Sequence, residues 1–256
     1  MGRPGRKQDR LDGGIEVAAD PASFDVAAIA AGIKRGNSPE LSYASAVPFE
    51  HRRRYAQFFT PPKIADLMAE WALEGPTESL LEPAAGMGAL IRAALARQPD
   101  LRVTTFEKDP VILRAFLASY PDLRKIEVIH EDFLTANLLS TFDAVLMNPP
   151  YLRHHDLSYS FDIFAEFAKK YRVDVSKLSN SYLLFTLKVC MSLNPGGRAA
   201  IIIPSEWMNA NFGAAMKSFL IRQGLLREII YFSNCSEIFD DALTTASILL
   251  IEKAAS

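Results

Sequence analysis

The apolar run Phe142-Asp143-Ala144-Val145-Leu146-Met147 leads straight into Asn148-Pro149-Pro150-Tyr151, and no other junction constrains the chain as tightly. Its length and apolar character read as a short buried strand. Two prolines fix φ near about −65° and cannot donate ladder hydrogen bonds, so the strand has to end there and the chain has to turn. Asn148 is thereby presented at the carboxyl end of a strand, where open α/β sheets bind their ligands. Its side chain offers both an acceptor and a donor, the Pro149 carbonyl adds an acceptor, and Tyr151 supplies a flat ring. Two acceptors and a ring face suit a planar amine. The bland alternative is a proline-terminated strand with a packing tyrosine.

Three earlier segments read as strands that end in acids. Ser79-Leu80-Leu81 runs into Glu82-Pro83-Ala84-Ala85-Gly86-Met87-Gly88, small residues that let a backbone approach a ligand closely. Glu82 would repel a phosphate and welcome an amino group. The third glycine of a dinucleotide fingerprint is also missing. Leu101–Phe106 leads into Glu107, about 20 residues after the glycines, the position of a ribose-hydroxyl acceptor. Ile126–His130 is followed by Glu131-Asp132-Phe133. Asp132 can accept from an adenine amino group while Phe133 packs against the ring. Each acid alone reads as an ordinary surface residue; as a row along one sheet edge they read as a nucleoside site. Upstream, Thr60 is expected to cap a helix with Pro61 and Pro62 in its first turn. Ile64, Leu67, Met68, Trp71 and Ala72 would form its apolar face.

Gln57-Phe58-Phe59-Thr60-Pro61, Leu81–Gly88, Glu107, Asp132-Phe133 and Asn148–Tyr151 occur in that order. The order resembles the gamma-class, Taq-type adenine-N6 DNA methyltransferases of restriction–modification systems, over about Tyr55 to Lys253. The resemblance implies a Rossmann-like α/β fold with a seven-stranded, mostly parallel sheet, helices on both faces, and S-adenosylmethionine as cofactor. It implies transfer of a methyl group to the N6 amine of a DNA adenine flipped out of the duplex. Together with strand-end position it assigns Thr60, Glu82, Ala84 and Gly86 to the methionine moiety, Glu107 to the ribose, and Asp132 and Phe133 to the adenine. It assigns Asn148, Pro149, Pro150 and Tyr151 to catalysis, with Tyr151 and Phe239 stacking on the target base. For Phe239 the alternative is core filler. Two other readings stand beside this one: a methyltransferase for another planar amine, such as an RNA base or a protein glutamine, and a catalytic-fold subunit without activity of its own that pairs with a recognition partner.

DNA is the expected partner, with a separate recognition subunit or a cognate restriction endonuclease alongside. A formal net charge of −2 gives no global basic signature, so nucleic-acid contacts have to come from local patches. Arg52, Arg53 and Arg54, and the insert with Arg153, Lys169 and Lys170, are the candidates. The insert's His154 and His155 have no third ligand at metal spacing, and no metal site is expected. Cys190 and Cys235 read as two free thiols, consistent with a cytoplasmic location. No run reaches membrane-spanning length. Residues 1–40 are expected to form an arm, largely disordered, with a short helix over Ser23–Ile33. Residues 41–256 are expected to form the catalytic domain, with no separate target-recognition domain.

Overall fold

The computed structural model describes residues 9–10, 16–17, 26–120, 122–152, 161–173, 175, 179–211, 213–233 and 245–255. Its strands are β1 (Asp9–Arg10), β2 (Glu16–Val17), β3 (Ser79–Glu82), β4 (Arg102–Phe106), β5 (Ile126–Ile129), β6 (Phe142–Met147), β7 (Leu193–Pro204), β8 (Leu226–Phe232) and β9 (Ala246–Glu252). Its helices are α1 (Val26–Lys34), α2 (Pro39–Ala46), α3 (Phe49–Arg54), α4 (Pro62–Ala72), α5 (Ala89–Arg97), α6 (Pro110–Ser119), α7 (Phe161–Tyr171), α8 (Ser181–Met191) and α9 (Gly213–Arg222).

β1 and β2 form a short antiparallel pair. The other strands form the expected seven-stranded sheet, in the order β5-β4-β3-β6-β7-β9-β8. Every pairing is parallel except those of β9, which runs antiparallel between β7 and β8. The order reverses between β3 and β6, and a crevice opens outside the carboxyl ends at such a switch point. Those two ends carry Glu82 and Asn148.

Alternation along the strands builds a core on each face of the sheet. Leu80, Val103, Ala144, Leu146, Ala200 and Ile202 point to the layer of α4, α5 and α6. Leu81, Val145, Met147, Ala199, Ile201 and Ile203 point to the layer of α7, α8 and α9. β6 is therefore buried on both faces, which explains its continuous apolar run. Burying each such Leu, Ile or Val is worth roughly 1.5–3 kcal/mol.

Two local expectations are corrected. The arm does not extend to residue 40: Ile29 of α1, with Tyr43 of α2 and Val47, packs on Val111, Ile112 and Ala115 of α6. Ile29 and Tyr43 are the apolar anchors, although α2 has little apolar periodicity to announce it. Thr60 does not cap α4; Pro61 occupies that position without a side-chain bond, because the Thr60 hydroxyl is engaged elsewhere.

Candidate active site at the carboxyl ends of the central strands

The Asn148 side-chain amide is fixed at both ends. Its Nδ2 donates to the Phe58 carbonyl at 2.9 Å and to Thr60 Oγ1 at 3.0 Å. A carbonyl can only accept, so the Phe58 contact dictates which end of the amide is nitrogen. Oδ1 then faces away from that segment and accepts the Tyr151 hydroxyl at 2.6 Å. The Gln57–Pro61 segment and the Asn148–Tyr151 segment, roughly 90 residues apart, are thus one structure. Thr60 holds Asn148, a role its position before two prolines does not disclose.

The turn after Asn148 is anchored on the first residue of α8. Ser181 Oγ donates to the Pro150 carbonyl. It also accepts from the Leu152 amide at 3.0 Å, and the Ser181 amide donates to the Leu152 carbonyl at 3.0 Å. Among the described residues no donor reaches the Pro149 carbonyl. The Tyr151 ring lies parallel to Phe58, with centroids 5.8 Å apart and planes at 20°.

A cavity of about 370 Å³ opens beside this turn, within the usual range for small-molecule sites. Its lining includes Arg54, Phe58, Ala84, Gly86, Glu107, Asp132, Phe133 and Asn148. Gly86 adopts φ +53° and Gly88 φ +78°, conformations that L side chains rarely take. A Cβ at Gly88 would also collide with the Phe116 and Tyr120 rings of the α6 region. The loop after β3 therefore needs both glycines.

The acids differ in setting. Glu107 lines the cavity, with its carboxylate accepting from the Gly86 amide at 3.1 Å and the Asp109 amide at 2.8 Å. Burial raises its pKa to about 7 against the pull of those amides, and the Asp109 charge adds to the rise. Asp132 accepts from the Leu134 amide at 3.0 Å and from Lys108 at 2.8 Å. Glu82 does not line the cavity. It is buried behind the loop, with one carboxylate oxygen lacking a partner among the described residues. Desolvation, and then the Glu107 charge, push its pKa well above the ordinary range.

Asp109, which with Pro110 reads from sequence as the opening of a helix, is fully buried and organises the cavity's outer wall. His51 Nε2 and Gln57 Nε2 reach its Oδ2 at 2.8 and 2.6 Å, and Oδ1 caps α6 through the Val111 amide at 2.9 Å. The Tyr43 hydroxyl donates to Gln57 at 3.1 Å. The basic helix α3 is thereby tied to the junction between β4 and α6 that carries Glu107.

The basic candidates separate. Arg53 and Arg54 are exposed, Arg54 at the cavity's edge, and Arg52 lies over the Phe49 ring at 5.5 Å. Lys169 and Lys170 do not share the Asn148 cleft. Lys170 lines a hollow with Met191, Arg172 and Arg222, where α8 and α9 end. Ser181 touches the Pro150 turn, and Met191 lies ten residues further along α8, about 15 Å away. That hollow sits at the amino ends of β7 and β8. Arg153 and Phe239 lie outside the described residues, as do His154 and His155. Among the described residues no group of three His, Cys, Asp or Glu side chains is placed to hold a metal, and no helix is long and apolar enough to cross a membrane.

The sheet order and the crevice define a class I S-adenosylmethionine-dependent methyltransferase fold. A Listeria monocytogenes protein described as belonging to that class superposes with a TM-score of 0.65 at 20% identity, over 92% of this chain and 71% of that one. The methyltransferase subunit of a type I restriction-modification system from Streptococcus thermophilus superposes with a TM-score of 0.65 at 23% identity, over 77% of this chain and 45% of that one. Residues 107–239 match the Eco57I restriction-modification methylase family, and the chain belongs to it. The Type II methyltransferase M.AccI of Acinetobacter calcoaceticus is 37% identical over 215 residues, 84% of this chain and 40% of the relative. The chain spans less than half the length of the first curated relatives it matches.

Fold and family imply S-adenosylmethionine as the cofactor, and the donor set suits it. Glu107 could accept from ribose hydroxyls and Asp132 from an adenine amino group.

Proposed function

We propose that this chain is the catalytic part of an adenine-N6 DNA methyltransferase of the gamma class, acting on a base flipped out of the duplex. The observation that carries the reading is the Asn148 amide at the cavity's rim, its nitrogen held by the Phe58 carbonyl and the Thr60 hydroxyl so that Oδ1 is turned away from them as an acceptor; the Pro149 carbonyl is the second acceptor in this reading. The adenine amine is a poor nucleophile because its lone pair is delocalised into the ring. Accepting both of its N–H bonds favours a pyramidal nitrogen whose lone pair can attack. Bound S-adenosylmethionine supplies an activated sulfonium methyl, so the residues' work is positioning and electrostatic matching, without a covalent intermediate. Thr60 and the Phe58 carbonyl orient Asn148, and Ser181 holds the turn. Tyr151 and Phe239 would receive the extruded base between their rings, since the target atom is inaccessible in a stacked duplex.

Tritium transfer from S-adenosylmethionine to DNA, RNA and protein pools, followed by digestion, tests this reading. Labelled N6-methyladenine in DNA is the expected product. Label confined to RNA or to glutamine would move the substrate to another planar amine. The relatives' greater length favours a recognition element beyond residues 1–256, supplied by further chain or by a partner. Adding such an element should raise both affinity and sequence specificity.

A further inference from the structure

α8 is buried along its length from Ser181 to Cys190, yet it carries a lysine at position 188 that is 6% exposed. An ammonium taken out of water costs several kcal/mol unless its donors are met. Lys188 Nζ meets the Phe133 carbonyl, the Ala136 carbonyl at 2.6 Å and the Leu134 carbonyl at 3.3 Å. Three donors are thus matched to three acceptors. All three acceptors belong to the single turn that follows Asp132.

That turn is built like the start of a helix. The Asp132 carboxylate accepts from the Leu134 amide at 3.0 Å, and the Asp132 carbonyl accepts from the Thr135 and Ala136 amides at 3.1 and 2.9 Å. Its remaining carbonyls would be left without partners inside the protein; Lys188 satisfies them, as basic side chains do at helix ends. Nζ also sits 4.6 Å from the centroid of the Phe133 ring. Phe185, three residues earlier on α8, tilts against the same ring at 5.4 Å, and Phe106 meets it edge-on at 5.3 Å. One face of α8 therefore fixes both the backbone and the ring of the Asp132–Phe133 pair.

We propose that Lys188 is a positioning residue that sets the Asp132–Phe133 turn for the cofactor's adenine. The inference rests on the reading of this cavity as the S-adenosylmethionine site. Burial, with the charge of Lys170 adding to it and that of Asp132 opposing it, lowers the Lys188 pKa to about 8. The side chain therefore bears its charge at a cost that its contacts with the turn offset.

Calorimetry with S-adenosylhomocysteine and its 6-oxo analogue S-inosylhomocysteine tests the proposal. Lys188→Met should weaken S-adenosylhomocysteine binding about tenfold and shrink the preference over the inosine form about fivefold, as misplaced hydrogen-bond partners do. A merely structural lysine would lower the melting temperature without changing that preference. Lys188→Gln keeps two N–H donors at shorter reach; it should fall between wild type and the methionine variant, and it replaces that variant should the latter not fold. Asp132→Ala is the arm for the underlying reading. If Asp132→Ala abolishes the preference while the Lys188 variants keep it, the positioning role is overturned and the cavity reading stands. If Asp132→Ala leaves the preference intact, the adenine does not bind at this turn and both ideas fall.

Discussion

The Tyr151 hydroxyl donates to the Asn148 side-chain oxygen across 2.6 Å, so the ring proposed to stack on a target base is tied to the acceptor proposed to take that base's amine. A carbonyl oxygen has two lone pairs, so Oδ1 can accept a second N–H while this bond persists. The ring is less free: it lies against Phe58 and has to move to receive a base on that face.

The first prediction separates ring from hydroxyl. Tyr151→Phe breaks the tie and keeps the stacking surface, so single-turnover methylation should stay within about tenfold of wild type, the loss of about one hydrogen bond. Asn148→Ala should lower the same rate by at least about 10²-fold, the usual effect of removing a group aimed at the reacting centre. It should leave cofactor affinity within a few-fold. Near wild-type activity in Asn148→Ala would remove this residue from the mechanism.

A second prediction follows from Glu107. Its folded-state pKa of about 7 stands above the unfolded value near 4.5. The folded protein therefore keeps this proton longer, and the group makes folding less favourable as pH rises through that window. Cofactor binding should run the other way, because ribose hydroxyls donating to the carboxylate favour its charged form. Binding near pH 7 should release a proton, and affinity should fall as pH drops below about 7. Calorimetry in two buffers of different ionisation enthalpy measures that release; Glu107→Gln should abolish it. An unchanged release in Glu107→Gln would assign the proton to another group.

At the opposite end of the sheet, Asp143 predicts a stability effect. Its carboxylate accepts from the Glu78 and Ser79 amides at 3.0 and 3.1 Å, from Ser79 Oγ at 2.9 Å and from Asn194 at 2.7 Å. Burial raises its pKa, but the donors, led by Asn194, more than reverse this and leave it below the ordinary value. A carboxylate of this kind stabilises at neutral pH, and the contribution is lost as pH falls through its lowered pKa. Asp143→Ala should cost roughly 1.5–3 kcal/mol, the range for hydrogen bonds to a charged group. Denaturant melts at pH 7 would measure it, and a midpoint unmoved from wild type would show that the network is replaceable by water.

What could be read from sequence is what rests on local chemistry. β6, the glycine loop and the acids at successive strand ends announce themselves, because a buried run, a positive φ and a proline stop each leave a mark in a few adjacent residues. Long-range pairings leave no such mark. Thr60 precedes two prolines and reads as a cap, yet its hydroxyl is used 88 residues away by Asn148. Asp109 looks like an ordinary helix cap, which it is, and the His51 and Gln57 contacts come from a segment more than 50 residues upstream. Lys188 looks like one polar residue in an apolar helix until the Asp132 turn folds over it. Lys169 and Lys170 illustrate the converse, since membership of a basic insert does not say at which end of the sheet a helix terminates.

That separation of basic residues gives the last prediction. Arg53 is exposed next to Arg54, which lines the cavity beside Asn148's turn, whereas Lys169 and Lys170 close α7 near the amino ends of β7 and β8. DNA whose base enters the cavity has its phosphates near the first group and away from the second. Phosphate contacts of this kind position the strand and carry no sequence information directly. Duplex binding by residues 1–256 should therefore be weak, on the order of 10⁻⁴–10⁻⁶ M near physiological salt, and should discriminate little among sequences. Arg53→Glu should lower affinity and reduce the slope of log K against log salt by about 1, the share of one phosphate contact. Lys169→Glu with Lys170→Glu should leave both within about twofold, since at that distance salt screens the charges. Fluorescence anisotropy with a labelled duplex at several salt concentrations reads all three proteins. A large loss from the lysine pair with none from Arg53 would put the DNA on the α7 side and away from the carboxyl ends of β3 and β6. The amine clamp at Asn148 would then have no route to a base.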